Sequence, residues 1–156
     1  MRSWEEFICE TKVWKRGDEV AVHKPLLLLF ILAQAKAGGT NRFAFREFVD
    51  ILEKAIRYFG PARQSSHAEY PFWHLQDDSF WVIEEKDRIP IGKGRSEPTK
   101  RALLKGAAVA TVPLAAWHVL TTDPCLIDDL ASSILTKYWP DPSRQREITA
   151  YFGLDR

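Results

Sequence analysis

The run His23-Lys24-Pro25-Leu26-Leu27-Leu28-Leu29-Phe30-Ile31-Leu32 constrains this chain more than any other segment. It has no polar stripe, and a helix that is apolar all round must be enclosed by other elements. Pro25 suits a helix's first turn, where its missing N–H would have no partner, and Gly38-Gly39 stop the helix at the far end. The stretch from Pro25 to Ala35 is too short to span a bilayer, so protein must do the enclosing. The chain has 156 residues and no internal repeat, low-complexity tract or linker, which predicts one domain wrapped around one central helix. His23-Lys24 then sit where a polar helix entrance meets the core.

The flanking segments supply the wrapping. Trp4, Phe7, Ile8 and Val13 among charges predict a short helix followed by a turn at Lys15-Arg16-Gly17-Asp18. Arg42 to Phe45 alternates like a strand. Arg46 to Phe59 places Phe48, Leu52, Ile56 and Phe59 on one helical face, with Asp50/Lys54 and Glu53/Arg57 as i,i+4 pairs opposite. After a polar loop, Tyr70 to Leu75 and Phe80 to Ile83 flank the turn Gln76-Asp77-Asp78-Ser79 and read as a β-hairpin of aromatic and β-branched residues. Ser96 is the expected cap of a helix from Pro98 to Gly106. Asp123-Pro124 and Asp141-Pro142 should open helices over Pro124 to Trp139 and Pro142 to Phe152. The expected class is α+β, mostly helical, with a winged-helix-like core of helix, short strand, helix and β-hairpin followed by C-terminal helices. No separate recognition helix is evident before Pro71, and the loop Arg63 to Glu69 is expected in its place.

Charge narrows the function. Lys and Arg number 22 against 21 acids, so a charged partner must be drawn by a local patch and not by the whole molecule. From Arg88 to Lys105 six cations face the single acid Glu97, a local net of +5. Within it, Gly92-Lys93-Gly94-Arg95-Ser96 combines flexible backbone N–H groups, two cations and a hydroxyl just before a helix, a setting chemically suited to phosphate. The plain structural reading of such a stretch is a solvated basic loop. A nucleotide-binding P-loop is excluded, because Gly-x-x-x-x-Gly-Lys-Ser/Thr is absent. Cys9 and Cys125 match no metal spacing and read as reduced, core-filling thiols. The first residues lack the pattern of a signal peptide, so a cytoplasmic protein is expected, with no membrane segment, cofactor or metal.

Tyr70-Pro71-Phe72-Trp73-His74-Leu75 is the most unusual motif. Strand alternation buries Phe72, and Trp81 belongs to the core with it. Tyr70-Pro71, coming straight after a polar loop, should lie at a rim. Together with His23-Lys24-Pro25-Leu26-Leu27-Leu28-Leu29, Trp81 and the late Leu135-x-x-x-Trp139-Pro140, this motif resembles the sulfur-binding domain of phosphorothioation-dependent, McrA-type restriction endonucleases. In that family the domain is the DNA-reading module joined to an HNH nuclease. The resemblance runs from His23 to about Phe152 and implies that residues 1–156 are a single DNA-binding domain, the N-terminal part of a longer nuclease. The implied partners are phosphorothioated double-stranded DNA and the covalently linked HNH domain. No catalytic residue is implied here. The implied sulfur pocket is Tyr70, Pro71 and His74 with His23 or Lys24.

The chemistry stands beside the name. Sulfur is larger, softer and more weakly hydrated than oxygen, so an apolar surface of tyrosine face and proline ring desolvates it cheaply and penalises a charged oxygen. A nearby cation, Lys24 or protonated His23, holds the remaining negative charge. Base reading falls to the loop Arg63, Gln64, Ser65, Ser66 and His67, and phosphate clamping to Lys93, Arg95, Ser96, Lys100 and Arg101. Two rivals keep different chemistry. Tyr70, Phe72, Trp73 and Trp81 could cage a methylated base, or His67, Glu69 and His74 could gather a metal in a small nuclease.

Overall fold

Helix α2 (His23–Lys36) runs through the middle of the molecule with Leu26, Leu27, Leu28, Leu29, Ile31 and Leu32 all buried. The computed structural model describes residues 3–13, 15–16, 19–61, 66–78 and 80–155. Before α2 lie α1 (Trp4–Glu10) and an antiparallel ribbon of β1 (Lys15–Arg16) and β2 (Glu19–Val20). After it come β3 (Phe43–Ala44), α3 (Phe45–Phe59), α4 (Glu69–His74), a 3-10 turn over Leu75–Asp78 and β4 (Val82–Ile83). The chain closes with α5 (Lys100–Lys105), β5 (Val109–Thr111), α6 (Leu114–Thr122), α7 (Pro124–Tyr138) and α8 (Pro142–Phe152). The central helix packs against α3, α4, α6 and α7, as an apolar helix must.

The class is α+β and mostly helical, with one three-stranded antiparallel sheet in the order β3-β5-β4. Phe43 pairs with Ala110, and Ile83 pairs with the same Ala110 from the other side. Helix α2, strand β3, helices α3 and α4, and then β4 and β5 with β5 central is the winged-helix order. The wing is therefore residues 84–108, between β4 and β5.

The sequence-based hairpin is corrected. Residues Tyr70 to His74 are helical, and Val82–Ile83 pairs with Ala110 and Thr111 instead of with Tyr70 to Leu75. Pro71 falls in the first turn of α4, where it deprives the helix of no hydrogen bond. Phe72 pulls that turn inward, its ring 5.0 Å from Phe45 and 5.9 Å from Trp81. The Trp81 indole N–H donates to the Phe72 carbonyl at 2.8 Å, satisfying an acceptor that so short a helix leaves without an internal partner. Helix α4, and not the Arg63 to Glu69 loop, thus stands at the recognition-helix position.

Other local expectations divide. Asp123 and Asp141 cap α7 and α8 as expected, accepting from the Leu126 and Ser143 N–H groups. The cap of α5 is Thr99, not Ser96, whose hydroxyl turns to Glu97. Glu53 turns from α3 to Lys100 on α5, at 2.9 Å. Cys9 and Cys125 are free and exposed, not core-filling.

Candidate nucleic-acid interface

Helix α4 presents its residues in two directions. Phe72 and Pro71 are buried, while Tyr70, Trp73 and His74 are half-buried along its outer side, so the expected rim position holds for Tyr70 and not for Pro71, which the first turn of the helix carries inward. The Tyr70 ring lies 6.1 Å from the His23 ring at the start of α2 and 4.7 Å from the His74 ring one turn along α4. Four of the five expected pocket residues, His23, Tyr70, Pro71 and His74, therefore sit at one junction between the two helices. The Tyr70 hydroxyl is held above its ordinary range, first by burial and then by the negative charges of Glu97, Asp78 and Asp77. It stays a neutral phenol, which suits an apolar rim.

Lys24 is arranged differently from the expectation of a ligand-facing cation. Its ammonium lies 2.5 Å from Asp78 Oδ2, with both side chains buried, and Asp78 Oδ1 accepts the Lys12 N–H at 3.1 Å. The pair fastens the 3-10 turn beneath α4 to the entrance of α2 and to the segment after α1. A cation at 5% exposure must be paired, because desolvating it alone would cost several kcal/mol.

His74 is bracketed by two carboxylates. Its Nδ1 lies 3.2 Å from Asp77 Oδ2 and its Nε2 3.1 Å from Glu97 Oε2. The same Glu97 oxygen accepts the Ser96 hydroxyl at 2.5 Å, and Arg95 Nε donates to the Glu97 carbonyl at 3.3 Å. Burial alone would push the Glu97 carboxyl upward, but the Ser96 and His74 hydrogen bonds and the charges of His74 and Arg95 outweigh it and hold it below the usual range. The wing tip is thereby drawn against α4.

The expected phosphate clamp is divided between the wing and α5. Lys93, Arg95 and Ser96 are exposed on the wing, whose turn is made at Gly94 with φ of 78°. Arg101 is exposed on α5, and Lys100 is turned toward Glu53. Its hydrogen bond to Glu53 is the main reason its ammonium is held above its ordinary value. Over residues 84–108 seven cations meet four acids, a net of +3 rather than +5, because Glu84, Glu85 and Asp87 stand at the wing's base.

Of the expected base-reading residues, Arg63, Gln64 and Ser65 lie outside the described residues. Ser66 is half-buried and His67 is exposed just ahead of α4. His67 Nδ1 is 3.2 Å from Glu69 Oε2, and the other carboxylate oxygen of buried Glu69 has no hydrogen-bond partner among the described residues. The sequence offered Glu69 only as part of a metal-gathering set, and its burial carried no local signal, since it is one acid at the end of a polar loop.

Neither rival site is assembled. Phe72 and Trp81 are buried against each other, so they cannot wall a cage with Tyr70 and Trp73. His67 turns to Glu69 and His74 to Asp77 and Glu97, so the three expected ligands are not gathered, and no group of three or more His, Cys, Asp or Glu side chains among the described residues is arranged to hold a metal ion. Among those residues no helix is long and apolar enough to cross a membrane.

Residues 3–156 match the family model described as ScoMcrA-like, DNA sulfur-binding domain. Nothing among curated proteins matches the chain. Among solved structures it is similar to the sulfur binding domain of ScoMcrA complexed with phosphorothioated DNA, at 19% identity and a TM-score of 0.88, covering 99% of this chain and 98% of that one. The Type IV phosphorothioation-dependent restriction endonuclease ScoMcrA is matched at 20% identity and a TM-score of 0.86, over 99% of this chain but 33% of that protein. The sulfur binding domain of SprMcrA complexed with phosphorothioated DNA is matched at 16% identity and a TM-score of 0.74, over 96% and 93% of the two chains.

Proposed function

Because this chain belongs to the ScoMcrA-like DNA sulfur-binding domain family, we propose that it recognises phosphorothioated double-stranded DNA and targets a restriction endonuclease to it. The observation that carries this reading is the Tyr70-Pro71 pair on a short helix at the recognition position of a winged helix, with a basic wing tied beside it. Tyr70 and His74 form the surface offered to the sulfur, with buried Pro71 and His23 shaping it from beneath. Lys24 contributes from behind through Asp78, and the positive charge near the ligand comes from the wing.

Lys93, Arg95, Ser96, Lys100 and Arg101 hold neighbouring phosphates and supply affinity that falls with salt, whatever the base sequence. Selection of the bases around the modified phosphate falls to Arg63, Gln64, Ser65, Ser66 and His67. Discrimination is a difference of affinities: Tyr70 and Pro71 give little to an oxygen and lower the desolvation cost of a sulfur. In the full-length protein the domain is joined to an HNH nuclease in the cytoplasm, and this segment binds without cutting.

A competition experiment with phosphorothioated, methylated and plain duplexes of one sequence tests the reading. Preference for the sulfur duplex supports it. Preference for the methylated duplex, or nicking by this segment with Mg²⁺ or Mn²⁺, overturns it.

A further inference from the structure

The wing carries the phosphate-clamping side chains, yet residues 90–96 are exposed and hold little of their own. Among the described residues, the side-chain hydrogen bonds linking residues 91–97 to another element run through one carboxylate, Glu97, to His74 on α4. His74 is in turn held from its other side by Asp77, on the turn that Asp78 fastens to Lys24. A continuous chain thus leads from the exposed wing to the buried ion pair: Ser96, Glu97, His74, Asp77 and the backbone of the 3-10 turn.

We propose that Glu97 is a positioning residue for DNA binding, holding the basic wing at a fixed distance from the Tyr70-Pro71 surface through His74, so that sulfur seating and phosphate clamping occur in one geometry. The inference rests on the clamp role given to the wing above. The groups facing the His74 ring are Tyr70 on α4, Asp77 on the 3-10 turn and Glu97 on the wing, with Ser96 and Arg95 meeting Glu97. A ring protonated on both nitrogens donates to both carboxylates at once, whereas a neutral ring donates to one. Glu97 is also well placed to set the Arg95 side chain, whose Nε it engages through its own carbonyl.

The positioning role opposes simple electrostatics, which makes it testable by sign. An acid that merely sat on a DNA-facing surface would repel phosphate, and its removal would tighten binding. A strut that orders the wing does the reverse, because a loosened wing must be ordered again when DNA binds.

The experiment compares the parent with Glu97→Ala and Glu97→Gln in two readouts. Hydrogen exchange of the wing amides, measured without DNA, should be faster in Glu97→Ala and intermediate in Glu97→Gln, which keeps an acceptor for the ring. Affinity for phosphorothioated and plain duplexes should fall together, by about 3- to 10-fold in Glu97→Ala, in the lower part of the range of one lost coupling between neighbouring groups. Unchanged wing exchange, or tighter binding to both duplexes, overturns the proposal. A parent that shows the exchange effect but no preference for sulfur leaves the strut standing and sinks the sulfur reading, so the two failures are separable.

Discussion

Lys24→Met decides whether the lysine at the entrance of α2 serves the fold or the ligand. Its ammonium and the Asp78 carboxylate are 2.5 Å apart, with side-chain exposures of 6% and 3%. Removing one partner of such a pair strands the other charge out of water, at about 3–5 kcal/mol. Asp78 Oδ1 keeps the Lys12 N–H, which places the expected loss near the lower end, about 3 kcal/mol. For a domain of this size that is a fall in melting temperature of about 6–12 °C, and a substantial part of a total stability of about 5–15 kcal/mol. Adding Asp78→Asn removes the stranded charge while leaving an acceptor for Lys12, so the double variant should regain most of the loss. Thermal unfolding followed by circular dichroism reads all three, and at a temperature where Lys24→Met remains folded its sulfur preference should persist. An unchanged melting temperature together with a lost preference would refute the reasoning, since the charge would then be engaged with DNA and not with Asp78.

Three further outcomes follow from the same geometry. Arg95→Ala should weaken binding to modified and plain duplexes alike and lower the slope of log affinity against log salt by about 1, the signature of one phosphate contact; a loss confined to the modified duplex would place Arg95 at the sulfur. Phe72→Ala, which empties the space between Phe45, Phe48 and Trp81, should destabilise the domain by about 3–5 kcal/mol in denaturant titrations, and a smaller loss would mean that α4 is not anchored by this ring. Glu97 has a depressed carboxyl value in the folded state, so its contribution to stability is present above the ordinary value of 4.5 and is lost as pH falls through the lower folded value. The stability gap between parent and Glu97→Gln should accordingly be open at neutral pH and close in strong acid, and a gap that does not change with pH would contradict this.

The parts of the fold legible in sequence were those with local signals. Pro25 and Gly38-Gly39 delimit α2, the spacing of Phe48, Leu52, Ile56 and Phe59 gives α3, and the Asp-Pro pairs mark α7 and α8. Helix α4 was not legible, because six residues are too few to display a 3.6-residue period, and Tyr70, Phe72 and Trp73 favour strands when read locally. Its helicity depends on Trp81, which reaches back to the Phe72 carbonyl, a contact absent from the local pattern. Strand β5 and helix α6 were hidden within the apolar stretch Ala107 to Leu120, which has no clear period.

At the site, the Tyr70-Pro71 motif and its proximity to His23 and His74 were reached from the motif and the family resemblance together. The carboxylates around them were not. Asp77 and Asp78 looked like ordinary turn residues, and Glu97 like the lone acid of a basic loop. Only the packing of the wing on α4 brings Glu97 to His74, and only the burial of the 3-10 turn brings Asp78 to Lys24. Charge counted along the chain described the wing tip and missed the acids that hold it.

The central claim is that Tyr70 and Pro71 select sulfur over oxygen, and the most direct measurement is one affinity ratio. Binding is measured at a single salt concentration for a duplex carrying one non-bridging sulfur and for its oxygen twin, with the parent and with Tyr70→Ala and Pro71→Ala. The account predicts a clear preference for sulfur in the parent that collapses toward equality in both variants, with weak, salt-sensitive binding retained. Equal affinities in the parent, or a preference that survives both substitutions, would contradict it.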